Sequence, residues 1–283
     1  MSFSDLIPTK LTLDSGVELH YVREGTGPVL IMIHGAMGDW RSWSPQWDSF
    51  VGNFDCIAYS RRYSHPNHND MPSPDHSAFV DAEDLIGMMD ALGIERAILV
   101  GSSYGAFTAL AVAATAPDRV VAIAGVEPPM MRYAEMDPKG AEIAAQFRTE
   151  TVLPARLAFA AGDDEEGATL LTAGIGGRRH GTPPAHIMKA RMQNAKAARM
   201  LSLSSDEFPL IPPETLASLK MPILLMSGAN TAPVHAAIFA GVTRHMPQIR
   251  TKIVTGSGHS VSRQQPEAFN AEVLEFLTSA LAT

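Results

Sequence analysis

The chain has 283 residues, of which 46% are hydrophobic and 18% are charged, and its formal net charge at pH 7 is -8. This apolar content excludes a disordered chain, and the length is sufficient for one large α/β domain. The acidic balance argues against a nucleic-acid partner, because the only dense basic clusters are Arg61-Arg62 and Arg178-Arg179.

The N-terminal residues and the apolar runs predict a cytoplasmic protein without membrane insertion. Residues 1–6 lack the charged and then apolar pattern of a secretory signal, and no apolar run approaches the roughly 18 residues that span a bilayer. The single cysteine, Cys56, excludes an intrachain disulfide. It lies in an apolar run, so we expect it to pack in the core.

The first part of the chain predicts a hairpin followed by buried strands. Residues 11–22 form two alternating runs around a turn, which predicts an antiparallel hairpin. Residues 29–33 and 54–58 are apolar runs typical of buried strands. The run of residues 29–33 ends at the loop of residues 34–38. Open α/β sheets place their functional sites in such loops, at the carboxyl ends of strands.

A G-x-S-x-G pattern lies near the middle of the chain. The aliphatic residues 97–100 predict a strand, residues 101–105 read Gly-Ser-Ser-Tyr-Gly, and the small apolar residues 106–114 predict a buried helix. A strand that turns directly into a helix through this pattern is a nucleophile elbow, which holds its central serine at the helix N-terminus. Ser103 is therefore the candidate nucleophile. Ser102 is the alternative, but its side chain is expected to point into the fold.

The second half of the chain contains a helical interruption. Residues 120–126 predict a strand that ends at Glu127, and residues 128–213 predict helices without strands, as in a cap inserted over a site. Strands and helices then alternate again over residues 214–283. Methionines in the insertion suggest an adaptable pocket wall, with core packing as the alternative: Met130, Met131, Met136, Met188, Met192 and Met200. The predicted organisation is an α/β core over residues 1–127 and 214–283, with a cap over residues 128–213.

Three motifs in this order resemble the α/β-hydrolase fold superfamily over essentially the whole chain. They are residues 34–36 after the third strand, the elbow after the fifth strand, and Gly258-His259 before the closing helix. The resemblance implies a doubly wound, mostly parallel eight-stranded sheet with a helical cap. It also implies Ser103 as nucleophile, His259 as general base, and the backbone amides of Ala36 and Tyr104 as the oxyanion hole.

The third member of the expected triad departs from the usual pattern of this superfamily. The usual acid follows the seventh strand, but residues 227–233 contain no carboxylate, and Thr231 occupies the usual position. A subset of the superfamily places the acid after the sixth strand, and this position corresponds to Glu127. Glu127 is therefore the predicted acid, and the alternative is that Glu127 caps the insertion while Asn230 supports His259 as a neutral partner.

Other polar residues are expected to be structural. His34 is expected to brace the oxyanion loop, and Arg62 to tie loops together by its planar fork. The helix predicted over residues 78–92 is expected to have a solvated face of Asp81, Glu83, Asp84 and Asp90. The remaining histidines are expected to be exposed: His20, His65, His68, His76, His180, His186, His235 and His245.

The motifs predict a hydrolase that needs no cofactor and no metal. A serine nucleophile implies acyl transfer, so the expected substrate is a small, largely apolar ester, lactone or thioester, or a ketone whose neighbouring carbon-carbon bond is cleaved. A serine at this position also excludes the chemistry of epoxide hydrolases and haloalkane dehalogenases, which use an aspartate as nucleophile. Two alternatives remain open: a cofactor-independent perhydrolase that resembles bacterial haloperoxidases, and a non-catalytic small-ligand receptor. The sequence gives no oligomeric state.

Overall fold

A computed structural model describes residues 3–71, 75–177 and 183–282 of the chain. Eight strands form one sheet in the order β1-β2-β4-β3-β5-β6-β7-β8. The strands are β1 (Thr9–Thr12), β2 (Glu18–Glu24), β3 (Val29–Ile33), β4 (Asp55–Ser60), β5 (Ala97–Ser102), β6 (Val120–Val126), β7 (Ile223–Gly228) and β8 (Arg250–Val254). β2 runs antiparallel to β1 and β4, and the other neighbours pair in parallel. The predicted mostly parallel, eight-stranded fold is confirmed.

Helices cover both faces of this sheet. They are α1 (Ser44–Phe50), α2 (Ala78–Ala91), α3 (Tyr104–Thr115), α4 (Met131–Glu135), α5 (Pro138–Phe147), α6 (Leu153–Ala160), α7 (Asp164–Ile175), α8 (Ala185–Gln193), α9 (Ala195–Leu203), α10 (Pro213–Ser218), α11 (Pro233–Arg244), α12 (Val261–Gln264) and α13 (Pro266–Leu281). Because side chains alternate along a strand, Ile31 and Ile33 of β3 pack with α2, α3 and α11, whereas Leu30 and Met32 pack with α1 and α13.

Two of the four carboxylates expected on a solvated face of α2 differ from the expectation, whereas Glu83 and Asp90 are exposed as expected. Asp81 and Asp84 are buried, at 1% and 3% exposure. Asp81 forms an ion pair with Arg61, and both oxygens of Asp84 accept hydrogen bonds from Arg62 at 2.6 and 2.7 Å. The loop after β4 therefore covers these carboxylates and supplies their positive partners, which the spacing within one helix could not reveal.

The described part of residues 128–213 is helical and contains no strand. α4 to α9 lie here, and a π-helical turn at Arg148–Val152 joins α5 to α6. Polar contacts tie the α8–α9 junction to the core, because Asn194 donates to Asp39 at 2.8 Å and accepts from the amide of His65 at 2.9 Å. The basic pair Arg178-Arg179 and His180 lie outside the described residues.

Candidate active site

Ser103 lies between β5 and α3 in a strained turn. Its φ of 54° and ψ of -118° place a residue with a side chain where glycine is favoured. The flanking glycines allow close packing: a Cβ on Gly101 would lie 2.5 Å from the amide nitrogen of Ala106, and a Cβ on Gly105 would lie 2.0 Å from the carbonyl oxygen of Ile33. The expected elbow conformation is therefore present, with Ser103 at the N-terminus of α3.

The structure brings Ser103, His259 and Glu127 together in one hydrogen-bonded chain. Nδ1 of His259 lies 2.6 Å from Oε2 of Glu127, and Nε2 of His259 lies 2.9 Å from Oγ of Ser103. Because an ionised carboxylate only accepts, Nδ1 carries the proton and Nε2 presents its lone pair to the hydroxyl. This is the tautomer that a general base for Ser103 needs.

Glu127 is held rigidly by four donors. Besides His259, Oε1 accepts from the hydroxyl of Ser227 at 2.6 Å and from the amide of Gly228 at 2.9 Å, and Oε2 accepts from the hydroxyl of Thr231 at 2.8 Å. Burial raises the pKa of Glu127, but the hydrogen bond and charge of His259 and the bond from Ser227 hold it below its ordinary value. The carboxylate is therefore ionised beside the imidazole.

Asn230 is not placed to act as a neutral partner of His259. Its side chain is exposed, and no hydrogen bond joins it to His259 within the described residues. Thr231, at the usual acid position, instead donates to Glu127. The loop after β7 thus supports the carboxylate that follows β6.

The two proposed oxyanion donors lie at the wall of the same cavity as Ser103. Ala36 follows β3, and Tyr104 is the first residue of α3, so its amide is one of those left free at a helix N-terminus. Neither amide donates a hydrogen bond to another described residue. Both are therefore available to a ligand.

His34 joins the oxyanion loop to the loop after β4. Its Nε2 accepts from the amide of Arg61 at 3.0 Å, and its Nδ1 donates to the carbonyl of Gly35 at 2.8 Å. Burial and the charge of Arg61 lower the pKa of His34 to about 3, so the ring is neutral, as this bonding requires. Arg61 also donates to the carbonyl of Gly35 at 3.2 Å. The bracing that we expected for His34 is present, and Arg61 shares it.

Two cavities meet at Ser103 and His259. The apolar cavity, of about 80 Å³, is bounded by these two residues together with Met131, Phe147, Leu171, Leu201, Phe208 and Ile238. The polar cavity, of about 90 Å³, is bounded by the same two residues together with Trp43, Ser102, Arg191, Ser260, Ser262 and Arg263. The pair of Ser103 and His259 therefore has an apolar side and a polar, cationic side.

Some candidates of the sequence analysis lie elsewhere. Met131 alone among the six methionines of the insertion lines the apolar cavity within the described residues; Met136 and Met192 are exposed, and Met188 and Met200 pack in small clusters beside it. Ser102 is half-buried and borders the polar cavity. Of the two neighbouring serines, Ser103 is the one whose hydroxyl bonds to Nε2 of His259.

His235 was expected to be exposed, but it is buried behind the candidate base. Its ring stacks on His259 with 3.9 Å between centroids, and its Nε2 donates to the carbonyl of Ile175 at 3.1 Å. Burial and the charge of His259 lower the pKa of His235, so this ring stays neutral. A sequence signal existed, because His235 lies two residues after Pro233 in the first turn of α11. The N-terminus of this helix lies at the carboxyl ends of the strands, where Ser103 and His259 also lie.

One group of side chains within the described residues has the composition of a metal site. Ligand atoms of Glu127, His235 and His259 lie within 4.8 Å of one another. Glu127 and His259 already bond to each other, so binding a metal through both would break the chain that orients the base. The geometry therefore favours proton transfer at this site.

Residues 30–272 match the model of the alpha/beta hydrolase family, and the chain belongs to this family. It is similar to the carboxylesterase YbfK of Bacillus subtilis (strain 168), with 26% identity covering 93% of this chain and 85% of the relative. The crystal structure of that carboxylesterase, also called CesB, superimposes with a TM-score of 0.69, 24% identity and coverage of 96% and 92%.

A further relative is the 2-(acetamidomethylene)succinate hydrolase of Mesorhizobium japonicum, with 26% identity covering 92% of each chain. These relatives are hydrolases of small molecules by name, and the present chain is a hydrolase of the same family. None of the described helices has both the length and the apolar character needed to cross a membrane.

Proposed function

We propose that this protein is a cofactor-free serine hydrolase that works through an acyl-enzyme. The observation that carries the proposal is the hydrogen-bonded chain from Glu127 through His259 to Ser103, next to two unused backbone amides. A serine hydroxyl is a weak nucleophile at neutral pH, so it needs a base within hydrogen-bond reach. His259 meets this requirement at 2.9 Å.

In the proposed first step, Nε2 of His259 takes the hydroxyl proton while Oγ of Ser103 attacks the substrate carbonyl. The negative charge that develops on the carbonyl oxygen is stabilised by the amides of Ala36 and Tyr104. Loss of one such donor costs about 3 kcal/mol of barrier in enzymes of this type. Glu127 keeps His259 in the productive tautomer and stabilises the imidazolium that forms.

In the second step, His259 returns the proton to the leaving group, and water then hydrolyses the acyl-enzyme with the same base. This chemistry covers esters, lactones, thioesters and carbon-carbon bonds next to a ketone. The named relatives include a carboxylesterase, so we propose ester-like substrates first.

We further propose that residues 128–213 act as a cap on a core formed by residues 1–127 and 214–283. Met131, Phe147, Leu171 and Leu201 come from this segment and close the apolar cavity over Ser103. A cavity of about 80 Å³ suits a short apolar group. The cap would thus set the size of that group and exclude water from the reacting carbonyl.

The proposal is tested with 4-nitrophenyl esters of increasing acyl length and with lactones. We expect a burst of nitrophenol equal to the enzyme concentration, followed by slower turnover, with short acyl chains preferred. Ser103→Ala should abolish the burst, and Ser102→Ala serves as the matched control that retains it. A stable acyl adduct on Ser103 in the mass spectrum would support the mechanism. Ligand binding without a burst or turnover would instead indicate a receptor.

A further inference from the structure

The polar cavity contains two arginines and no carboxylate. Arg191 of α8 and Arg263 of α12 both border it beside Ser103 and His259, and none of the described lining residues is an aspartate or a glutamate. The nearby carboxylate of Asp39 is already engaged, because Arg41 binds both of its oxygens at 2.6 and 2.8 Å. Arg191 forms no ion pair with any described residue. No described carboxylate therefore pairs directly with Arg191, and Asp39 offsets its charge only from beyond ion-pair distance.

Two buried donors in the same wall lack acceptors. Nε of Arg191 and Nε1 of Trp43 have no hydrogen-bond partner among the described residues. Buried donors are normally paired, and an unpaired one costs stability. The guanidinium of Arg191 is nevertheless held in place, since its Nη1 donates a hydrogen bond to the carbonyl of Met37 at 2.6 Å. Protein covers both of these atoms, so the nitrogen left for an acceptor oxygen of a ligand is Nη2 of Arg191, which donates to no described residue.

The apolar side of Ser103 is unfavourable for such a ligand. The apolar cavity is lined mainly by carbon, its described lining contains no arginine or lysine, and the carboxylate of Glu207, which borders it, already pairs with Arg148 at 3.8 Å. An anionic group on the substrate therefore favours the polar cavity, with the remaining apolar part across Ser103. Arg191 and Arg263 also border a larger cavity of about 540 Å³, so this side has room for a small anion, and the planar fork of arginine matches a carboxylate.

We propose that the substrate carries a free carboxylate a few bonds from the scissile carbonyl and that Arg191 binds this carboxylate. The inference rests on the proposed serine hydrolase function and adds a substrate class to it. Arg191 makes the same contact in the ground state and the transition state, so its contribution appears mainly in KM.

The test compares two esters of equal carbon number: 4-nitrophenyl glutarate, which keeps one free carboxylate, and neutral 4-nitrophenyl pentanoate. The unaltered protein should prefer the glutarate ester. In Arg191→Met the ratio of the two kcat/KM values should fall by about 30-fold, mainly through KM of the glutarate ester. Arg191→Lys should retain part of the preference. Lys189→Met, which removes an exposed cation on the same helix, should leave the ratio unchanged.

Equal losses on both esters in Arg191→Met would overturn the proposal, because they would mean that Arg191 only holds Met37 of the oxyanion loop. A Ser103-dependent hydrolysis of both esters without preference for glutarate also overturns it, while leaving the proposed function intact. Absence of any Ser103-dependent hydrolysis would remove the proposed function itself.

Inhibition of the unaltered protein gives an independent measurement if Arg191→Met fails to fold. With 4-nitrophenyl pentanoate as substrate, glutarate should inhibit competitively at about tenfold lower concentration than neutral glutaramide. Equal inhibition by the two compounds contradicts the proposal. Equal inhibition by inorganic phosphate and glutarate would mean that the wall binds any small anion, which overturns the assignment to carboxylates.

Discussion

Two residues with side chains adopt left-handed backbone conformations within the described chain, and both belong to the candidate triad. The φ angles are 54° for Ser103 and 39° for Glu127. Such conformations cost about 1–3 kcal/mol each and persist only when the surroundings hold them. Ser103 is held by close packing at Gly101 and Gly105, and Glu127 by donors from the end of β7 and from Thr231. The strain therefore falls on the residues whose side-chain directions the proposed chemistry needs.

Glu127→Gln should lower kcat/KM on a neutral ester by about 10³ to 10⁴-fold, because the amide can donate to Nδ1 and stabilise the wrong tautomer of His259. Asn230→Ala is the matched control and should stay within about twofold, since the side chain of Asn230 is exposed and unbonded to His259. Steady-state kinetics on both variants provide the measurement. Near-normal turnover in Glu127→Gln together with a large loss in Asn230→Ala would reverse the assignment of the acid.

At the scale of the element, the first turn of α3 meets the end of β3 through the backbone of Gly105. Gly105 touches the end of β3 so closely that even a methyl group would lie 2.0 Å from the carbonyl oxygen of Ile33 and 2.7 Å from that of His34. Backbone atoms cannot move aside as a flexible side chain can. The position of Ser103 therefore depends on this contact between helix and strand.

Gly105→Ala should destabilise the fold by about 3 kcal/mol through overpacking, and it should lower activity by displacing the elbow. Gly52→Ala is the control, because a methyl group there meets no atom within 4 Å, and its expected effect is below about 0.5 kcal/mol. Urea unfolding of both variants measures the difference. An unchanged unfolding midpoint in Gly105→Ala would show that α3 does not pack so closely on β3.

At the scale of the whole molecule, buried neutral histidines make the folded state sensitive to mild acid. Burial and Arg61 lower the pKa of His34 from 6.5 to about 3, and burial with the charge of His259 lowers the pKa of His235. The unfolded chain binds these protons at higher pH than the folded chain does. Both histidines therefore contribute full stability above about pH 6.5 and lose it progressively towards about pH 3, by up to about 1.4 kcal/mol per pH unit each.

His235→Asn should lower the number of protons taken up on unfolding by up to one, and so make the free energy of unfolding depend less on pH. We expect the free energy of unfolding of the unaltered protein to fall more steeply between about pH 7 and about pH 5 than that of the variant. Urea titrations at several pH values provide the measurement, and His186→Asn, which replaces an exposed histidine on α8, is the control. Identical slopes for His235→Asn and the unaltered protein would contradict the burial of a neutral ring at this position.

Sequence reasoning worked where the signal is local and failed where partners come from distant elements. The apolar runs predicted the interior strands to within two residues, because a strand buried on both faces is apolar at nearly every position. The same reasoning placed Asp81 at the surface and His235 in solvent. Their burial depends on Arg61 from another loop and on the ring of His259, which no periodicity within one helix can show.

The sequence by itself determined the order of strands and helices, the elbow around Ser103, and the residues that the resemblance marks as base and acid. These follow from local patterns, since apolar periodicity and glycine placement act over a few residues. Only the tertiary structure decided that Glu127 rather than Asn230 reaches His259, that His235 lies behind it, and that Arg191 faces the polar cavity. Each of these contacts joins segments far apart in the chain, so the packing of the whole sheet and its insertion fixes them.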